Sequence, residues 1–460
     1  MPNRFLPEIF SNLKLTCDPI ASSNQIVQIQ HLPSYFDVSG LAAASFLAIG
    51  EALKSLLSSQ SSALTPTLVI DQRLASHWFS SSLHLINRPQ PTGWDPIAGD
   101  YQTANGWIRL HTNAGHHKAA ALAILDVAED AGHVAKAVRS WDGAELEASI
   151  VDAGGCAAQM RSIDDWREHA QGSALHQEPL LAWSFGPDKA KPRFSISNPY
   201  RPLEGLKVLD LTRVIAGPVA TRALAGFGAK VLRIDPVNWN EPGLYEDITI
   251  GKRCAHLDLN TTTDRRKFEV LLAQTDVLIH GLRGDALARL GYSIEYMRAI
   301  NSSLIDVAHN AYGWTGPWVN RRGFDSLVQM SAGIADFGMK AAHAEKPTPL
   351  PVQALDHATG NLVAAAAIMA LKDAIDQSCA ISVRTSLARV GAMLAQSAKP
   401  NIERALAPVA QNDFSPEIEQ THKGGARRLK PAIELLEAPQ RWDVAAGPLR
   451  ASLPNWGDST

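Results

Sequence analysis

The stretch GLKVLDLTRVIAGPVATRALAGFGAKVLRIDP, residues 205–236, decides the fold class because it contains a complete strand–helix–strand unit. The apolar run GLKVLDLT predicts one β-strand, and KVLRIDP predicts the next. Between them we predict a helix that opens at Gly217 and Pro218 and closes at Gly226 and Gly228. Units of this kind place their two strands parallel in one sheet.

Further strand candidates follow along the chain. They are CAHLDL (254–259), TDVLIHGL (275–282) and SSLIDVAHNAYG (302–313). With the helix predicted for TTDRRKFEVLLAQ (262–274), the pattern indicates an α/β fold with a doubly wound parallel sheet. Ligands of such sheets bind beyond the carboxyl ends of the strands, so DLTRVIAGP (210–218) is a candidate ligand loop. Alternatively, Gly217 and Pro218 only shape the corner between strand and helix. The sequence has no GxGxxG motif, so we predict no nicotinamide site.

Composition excludes several classes of protein. The 460 residues are 45% hydrophobic and carry a net charge of −3, which predicts two or three folded domains and neither a nucleic-acid nor a membrane partner. The four cysteines form no CxxC pair, so a disulfide framework or thiolate metal site is not expected. We see neither a signal peptide nor a transmembrane segment, and we predict a cytoplasmic protein.

The first part of the chain predicts a mixture of helices and short strands. SGLAAASFLAIGEALKSLL reads as a helix with Ser39 available as its cap, and TPTLVIDQRLA as a strand that enters a helix. GDYQTANGWIRLHT (99–112) predicts a β-hairpin. A Pro-rich stretch follows, and we place an interdomain linker from Gly186 onward.

Several ordered motifs give this sequence a family resemblance. The stretch at 202–236 is followed by GKRCAHLDLN, TDVLIHGLRGDALARLGYS, NSSLIDVAHNAYGWTGPW, RRGFDSLVQMSAG and LDHATG. Together they resemble the class III CoA-transferase superfamily, which includes formyl-CoA transferase, carnitine CoA-transferase and α-methylacyl-CoA racemase. The resemblance implies a Rossmann-like CoA-binding domain and a smaller α+β domain. It also implies acyl-CoA and a carboxylic acid as substrates, with no permanently bound cofactor.

The resemblance extends to the N-terminal part, but only to the later part of the family. We therefore predict a fused, partly duplicated chain: a truncated copy at 1–185 with a small α+β domain, a linker at 186–203, and a second copy at 204–460 with the CoA-binding region. Since family members are typically interlocked dimers, the chain is expected to act as an intramolecular pseudo-dimer, or as a homodimer.

Two aspartates are candidates for catalysis. The family's nucleophile lies in a D-x-x-x-G motif, which Asp356 and Gly360 match, whereas Asp37 stands one residue too close to Gly40. The resemblance implies that Asp356 is catalytic, just before a helix, and forms an aspartyl-CoA thioester. Asp37 is expected to be a remnant and an ordinary helix N-cap.

The resemblance also implies a set of CoA-binding residues. They are Ile215 and Ala216; Leu257, Asp258, Leu259 and Asn260; Gly281, Leu282, Arg283 and Arg289; and Arg322, Gly323 and Phe324. One basic residue of the family is missing, because Pro236 follows Asp235 at the end of the second strand. The Gly-rich loop that covers the substrate in formyl-CoA transferase has no obvious counterpart.

Three other functions were weighed. An acyl-CoA racemase or epimerase of the same superfamily would need a histidine where this chain has Phe324, which cannot accept a proton. A non-catalytic CoA-binding protein stays an alternative. A metal site at His111, His116 and His117 is disfavoured because no carboxylate stands at ligand spacing, and we expect a polar surface loop there.

Overall fold

The computed structural model describes residues 3–60, 66–89, 93–188, 190–398 and 405–457. The helices in this part of the chain are α1 (Leu6–Leu13), α2 (Pro19–Ser23), α3 (Val38–Gln60), α4 (Gln72–Trp78), α5 (Gly115–Leu125), α6 (Ala131–Val138), α7 (Gly143–Asp152), α8 (Ile163–Glu168), α9 (Ala170–His176), α10 (Ala216–Gly226), α11 (Tyr245–Ile248), α12 (Thr262–Leu272), α13 (Ala286–Arg289), α14 (Ile294–Ile300), α15 (Asp325–Ser331), α16 (Ile334–Ala341), α17 (Ala354–Gln377) and α18 (Leu387–Ala395).

The strands make one large sheet and three small ones. They are β1 (Ile26–Val27), β2 (Leu68–Asp71), β3 (Leu83–Leu85), β4 (Gly99–Gln102), β5 (Trp107–Leu110), β6 (Ala157–Gln159), β7 (Ala182–Asp188), β8 (Lys207–Leu211), β9 (Lys230–Asp235), β10 (Lys252–His256), β11 (Val277–His280), β12 (Ile305–Asn310), β13 (Cys379–Ser386), β14 (Phe414–Thr421), β15 (Gly424–Leu429) and β16 (Ile433–Leu435).

The large sheet has the strand order β10-β9-β8-β11-β12-β13-β7. Its first six strands are parallel, and β7 pairs antiparallel with β13 at the edge. Every residue of β11 and β12 is buried, as expected for strands covered by helices on both faces. The α/β fold and the strands and helices predicted between residues 205 and 313 are confirmed.

The chain order reverses at the centre of this sheet. From β8 the chain runs outward to β9 and β10, and then returns to the other side of β8 with β11. This reversal opens a crevice between the loops that follow β8 and β11, and such crevices are the usual ligand sites of open α/β sheets. Helix α10 begins directly above it, at the loop after β8.

Two small sheets join distant parts of the chain. Strand β2 pairs with β1 on one side and with β16 on the other, and β15 pairs with both β14 and β3. The sequence pattern predicted β2 and the helix after it, but not these distant partners. The boundary expected at residue 185 falls inside β7, and the division into domains stays a prediction.

The two long alanine-rich helices, α3 and α17, pack against each other at the centre of the molecule. Asn361 Nδ2 of α17 donates a hydrogen bond to Ser45 Oγ of α3 at 2.9 Å. Both helices are long and apolar enough to cross a membrane, but their apolar windows are 89% and 100% buried inside the protein. Their burial identifies them as core helices of this fold.

Asp37 rather than Ser39 caps α3. The N–H of Gly40 donates to Asp37 Oδ1 at 2.9 Å, which confirms the predicted N-cap role of this aspartate. Ser39 Oγ instead accepts the N–H of Leu32 at 2.9 Å. Asp37 is half-buried, and its carboxylate lies 3.6 Å from His31 Nδ1.

The predicted hairpin is confirmed as β4 and β5, which β6 extends to a three-stranded sheet. Helices α5, α6 and α7 cover one face of this sheet with a separate apolar core. The other face contacts α15, where Cys156 and Ala158 pack against Leu327 and Met330. The small sheet is therefore joined to the element that carries Phe324 and Asp325.

A buried charge cluster connects three parts of the chain. The carboxylate of Asp247 accepts hydrogen bonds from Arg222 at 2.6 Å and from Arg428 at 2.9 Å. It also accepts the backbone N–H of Ser82 at 3.0 Å. The two guanidinium groups hold the pKa of Asp247 well below its usual range, although burial acts in the opposite direction. We call Asp247, Arg222, Arg428 and Ser82 the Asp247 cluster.

Candidate active site

Asp356 lies in the first turn of α17, as the third residue of that helix. The sequence pattern placed it just before the helix, but the helix begins at Ala354 with Gln353 as its N-cap. The side chain is buried, with 7% of the residue exposed. Its own N–H is among the four first-turn donors that have no partner within the helix.

Asp325, the first residue of α15, accepts two of these first-turn N–H groups. Its Oδ2 accepts the N–H of Asp356 at 2.9 Å, and the N–H of Leu355 also points to this carboxylate. Gln329 Nε2 donates to the other oxygen, Oδ1. Asp325 thus caps α17 from another helix and fixes the backbone of Asp356. Sequence reasoning did not assign it a role, and its place in the GFD motif was the one signal.

A second helix begins at the carboxylate of Asp356. The N–H of Ala216, the first residue of α10, faces the Asp356 side chain and acts to lower the pKa of that carboxyl. Donors at a helix N-terminus favour negative charge at that point. The sequence predicted Ala216 as a CoA contact, and the structure brings it directly to Asp356.

Gly360 allows this approach of the two helices. A Cβ at this position would lie 2.3 Å from the Ala216 carbonyl oxygen and 2.8 Å from Val219 Cβ. The D-x-x-x-G spacing places the carboxylate and the glycine one helical turn apart on the same face of α17.

Gly360→Ala is expected to lower the free energy of unfolding by about 1–3 kcal/mol, because the added methyl group must push α10 away from α17. Urea unfolding measures this change. The matched control is Gly391→Ala in α18, where the nearest atom to a new Cβ is 3.4 Å away. That change is expected to be neutral or to stabilise by up to roughly 1 kcal/mol. Equal losses in both variants would contradict the packing role of Gly360.

Burial raises the pKa of both carboxyl groups, and the charge of Asp325 adds to the effect at Asp356. Burial, and then the charge of Asp325, raises the pKa of Asp356 well above its usual value, while the Ala216 N–H acts in the opposite direction. Burial also raises the pKa of Asp325 to about 6, against the hydrogen bonds from Gln329 and the α17 backbone. Perturbed carboxyl pairs of this kind are typical of catalytic sites.

The other predicted residues lie at the carboxyl end of the parallel strands, with one group after each of four strands. Ile215 and Ala216 follow β8; Leu257, Asp258, Leu259 and Asn260 follow β10; Gly281, Leu282 and Arg283 follow β11; and Arg322, Gly323 and Phe324 lie between β12 and α15. Arg289 lies in α13, where its exposed side chain pairs with Asp285 at 3.3 Å. The strand order brings these segments to one edge of the sheet.

The loop after β8 contains a strained residue and a cation that sequence reasoning missed. Val214 has a φ angle of +66°, which is unfavourable for a β-branched residue. Its N–H donates to Glu241 Oε1 at 2.6 Å, which holds this conformation. The neighbouring Arg213 guanidinium stacks on Trp239, 5.2 Å from the ring centroid. Arg213 therefore places positive charge at the edge of the crevice.

Asp235, at the end of β9, is not free to bind a ligand. Its carboxylate is fully buried and accepts hydrogen bonds from Arg233 Nε at 3.0 Å and from Arg233 Nη2 at 2.9 Å. In many doubly wound folds an acidic residue at this position binds a ribose. Here it neutralises a buried arginine instead.

The predicted polar surface loop at His111, His116 and His117 was wrong in part. His111 and His117 are buried, and only His116 is exposed. The His111 ring stacks on Phe324 with centroids 3.7 Å apart and an interplanar angle of 11°. The residues turn inward because the hairpin before them packs on α15.

Comparison with known proteins finds a family model that is similar to the second half of this chain. Residues 203–422 match the model of CoA-transferase family III. An acyl-CoA transferase of Gibberella moniliformis is 29% identical over 59% of this chain and 52% of its own length. An acetyl-coenzyme A transferase of Hypoxylon pulicicidum is 33% identical over 42% of this chain and 33% of its own length. The chain thus spans about a third to a half of these relatives.

A solved structure is also similar. A hypothetical protein of Mycobacterium tuberculosis is 29% identical, with a TM-score of 0.38 over 42% of this chain and 58% of its own.

Proposed function

We propose that this chain transfers coenzyme A from an acyl-CoA donor to a carboxylic acid, with Asp356 as the nucleophile, because residues 203–422 match the model of CoA-transferase family III. The observation that carries the proposal is the position of the Asp356 carboxylate. It is buried between two helix N-termini, next to a backbone donor and a second carboxylate. Burial excludes water from the Asp356 carboxylate, and the backbone donor stabilises negative charge that develops there during nucleophilic attack.

The proposed reaction begins when a carboxylate oxygen of Asp356 attacks the thioester carbonyl of the donor. The C–S bond breaks, CoA leaves as a thiolate, and the acyl group and Asp356 form a mixed anhydride. The thiolate then attacks the aspartyl carbonyl, which releases the donor acid and leaves CoA bound to Asp356 as a thioester. The acceptor carboxylate attacks this thioester, and the same two steps in reverse give the new acyl-CoA and free Asp356.

The surroundings of Asp356 suit both stages of this cycle. A carboxylate with a raised pKa is a stronger nucleophile once ionised. The Ala216 N–H, which approaches the carboxylate in the resting protein, is placed to stabilise an oxyanion on the aspartyl carbonyl. Asp325 acts as a positioning residue because it holds the backbone of Asp356 rather than the reacting atoms.

For CoA itself we propose the crevice at the carboxyl end of the sheet. Ile215 and Ala216 would line the nucleotide, with Leu257, Asp258, Leu259 and Asn260 beside it, and Gly281, Leu282, Arg283, Arg289, Arg322, Gly323 and Phe324 along the rest of the cofactor. Arginine side chains bind phosphate oxygens well. Arg213 is a further candidate, because it offers a cation at the crevice where Pro236 replaces the family's basic residue.

We also propose that the chain is a fused pseudo-dimer. Helices α3 and α17, which carry the two related Asp-Gly motifs, pack against each other, as the equivalent helices of a dimer with a twofold axis would. Strands from both ends of the chain complete shared sheets. Asp37 caps its own helix through the N–H of Gly40.

Trapping with hydroxylamine tests the proposed function. After incubation with a panel of acyl-CoAs and hydroxylamine, peptide mass spectrometry is expected to find a hydroxamate at Asp356. Asp356→Ala should lose this adduct, and Asp37→Ala should keep it. CoA binding without an adduct from any acyl-CoA would contradict the mechanism and favour a CoA-binding protein.

Asp325→Asn is expected to move the pH profile of Asp356 acylation to lower pH. Attack needs ionised Asp356, so the rate rises with pH through the pKa of that group, and loss of the neighbouring charge lowers this pKa. Asparagine keeps an oxygen that can accept the α17 N–H groups. The hydroxamate yield at Asp356, measured from about pH 5 to about pH 9, checks this shift of the pH profile. Perturbed carboxyl groups titrate in roughly this range. Asp336→Asn, whose carboxylate pairs with Lys340, is the control and should leave the profile unchanged.

A further inference from the structure

Two buried histidines beside the candidate active site have hydrogen-bonding groups without partners. Both ring nitrogens of His117 and Nδ1 of His111 are buried and have no partner among the residues that the structure describes. His117 is 3% exposed and His111 is 6% exposed. A buried polar group without a partner lowers stability, so such groups are often kept for a ligand.

The two rings converge on Phe324. His111 stacks on its face, and His117 meets it edge-on with centroids 5.9 Å apart. Phe324 directly precedes Asp325, which holds the backbone of Asp356. The two histidines are therefore connected to the reacting centre through Phe324 and Asp325.

The charges around the pair favour an anion. Arg322 lies close enough to oppose protonation of His117, and it forms no ion pair within the described ranges. The nearby carboxylates are already neutralised: Asp95 pairs with Lys118 at 2.8 Å, and Asp100 pairs with Arg109 at 2.7 Å. An entering carboxylate would therefore meet Arg322 as a cation that no carboxylate pairs with among the residues that the structure describes.

The first turn of α5 adds donors at the same place. His117 lies in that turn, and its N-cap, Ala114, has no side-chain acceptor to satisfy the first N–H groups. The N-terminus of an eleven-residue helix favours a bound anion. Burial, and then the neighbouring charges, lower the pKa of His117 to about 4 and that of His111 to about 3. Each ring is therefore neutral near pH 7 and offers one N–H donor.

We propose that His111, His117 and Arg322, with the first turn of α5, form a subsite for the second carboxylate of a dicarboxylic acid. The first carboxylate of this acid would react at Asp356, and the second would take the unpartnered imidazole N–H groups. Its two histidines follow β5 of the small sheet, and Arg322 comes from the segment before α15 that is also proposed to contact CoA. The inference rests on the proposed function for the identity of the reacting carboxylate.

Direct binding tests the subsite without any transfer reaction. Isothermal titration of the full chain compares each dicarboxylate from malonate to adipate with the monocarboxylate of the same carbon number. At least one dicarboxylate is expected to bind about tenfold more tightly than the monocarboxylate of the same carbon number, because hydrogen bonds to its second carboxylate add binding free energy of this size. If no member of the series is preferred, the subsite does not exist, whether or not the variants fold.

Histidine variants assign the preference to residues. His117→Leu and His111→Leu are each expected to remove it by about tenfold, whereas His116→Leu, an exposed neighbour, should keep it. Thermal unfolding should give an equal or higher midpoint for His117→Leu, because an unpartnered buried polar group is removed. A preference that survives in His117→Leu would overturn the assignment.

The failure of this inference can be told apart from the failure of the proposed function. The Asp356 hydroxamate needs only acyl-CoA and hydroxylamine, so His117→Leu should still form it from an acyl-CoA without a second carboxylate. A hydroxamate at Asp356 without any dicarboxylate preference would support the transferase function and rule out the subsite. A dicarboxylate preference without a hydroxamate at Asp356 would support the subsite and rule out the transferase function.

Discussion

Asp356→Asn is expected to reduce CoA transfer by about a thousandfold or more, because an amide cannot form the mixed anhydride or the enzyme-bound thioester. Asparagine is close in size to aspartate and can still accept the Ala216 N–H through its oxygen. The affinity for CoA should stay within about threefold, since the change removes no group from the proposed nucleotide crevice. Steady-state kinetics and calorimetric titration with CoA measure the two effects separately.

Asp37→Asn is the matched control for this experiment. It changes the aspartate of the related motif, and asparagine is as good a helix N-cap as aspartate. Transfer should therefore be unchanged. A loss of activity in Asp37→Asn as large as in Asp356→Asn would assign chemistry to both motifs and contradict the view that Asp37 only caps α3.

Asp247→Ala is expected to lower the free energy of unfolding by about 3–5 kcal/mol, the largest stability change that the structure predicts. The substitution leaves the Arg222 guanidinium buried without a carboxylate, and Arg428 keeps only its pair with Glu419 at 2.7 Å. Urea unfolding followed by circular dichroism measures the change. Since the pKa of Asp247 is lowered in the folded protein, its stabilisation is present above the unfolded-state pKa and is lost as the pH falls below it.

Asp164→Ala provides the comparison for the Asp247 cluster. Asp164 pairs with Arg167 at 3.1 Å, but the two side chains are 87% and 64% exposed. Exposed pairs contribute at most about 1 kcal/mol. An equal decrease in the free energy of unfolding of both variants would show that burial does not strengthen the ion pairs of the Asp247 cluster.

The Asp247 cluster also supports the candidate active site. His357, next to Asp356, stacks on Phe79 and is buried beside Arg222 and Asp247. Burial lowers the pKa of His357 to about 3, so this ring is neutral near pH 7. Loss of Asp247 is therefore expected to loosen the first turn of α17, and a fall in hydroxamate yield at Asp356 would report it.

Local sequence signals predicted most of the parallel sheet. The apolar runs at β8, β9, β11 and β12, separated by helical segments, predicted these strands and their parallel direction, whereas β13 and the antiparallel edge strand β7 were not predicted. The D-x-x-x-G motif also identified Gly360, where the missing side chain lets the backbone of α10 approach α17 closely.

The remaining features depend on contacts between residues far apart in the chain. Nothing near Asp325 indicates that it caps a helix that starts about thirty residues later. The burial of His111 and His117 depends on α15, which no local pattern connects to the hairpin. The pairing of β2 with β16 and of β3 with β15 has no periodic signal either, since periodicity describes one strand and not its partner.

The shared sheets have a consequence for synthesis of the protein. Strands β2 and β3 leave the ribosome long before β16 and β15, so their edges stay unpaired while the whole parallel sheet is being made. Contacts between such distant segments slow folding, and open strand edges invite aggregation. We expect the nascent chain to depend on chaperones until β15 and β16 emerge, and its yield in cells to fall steeply when they are limiting.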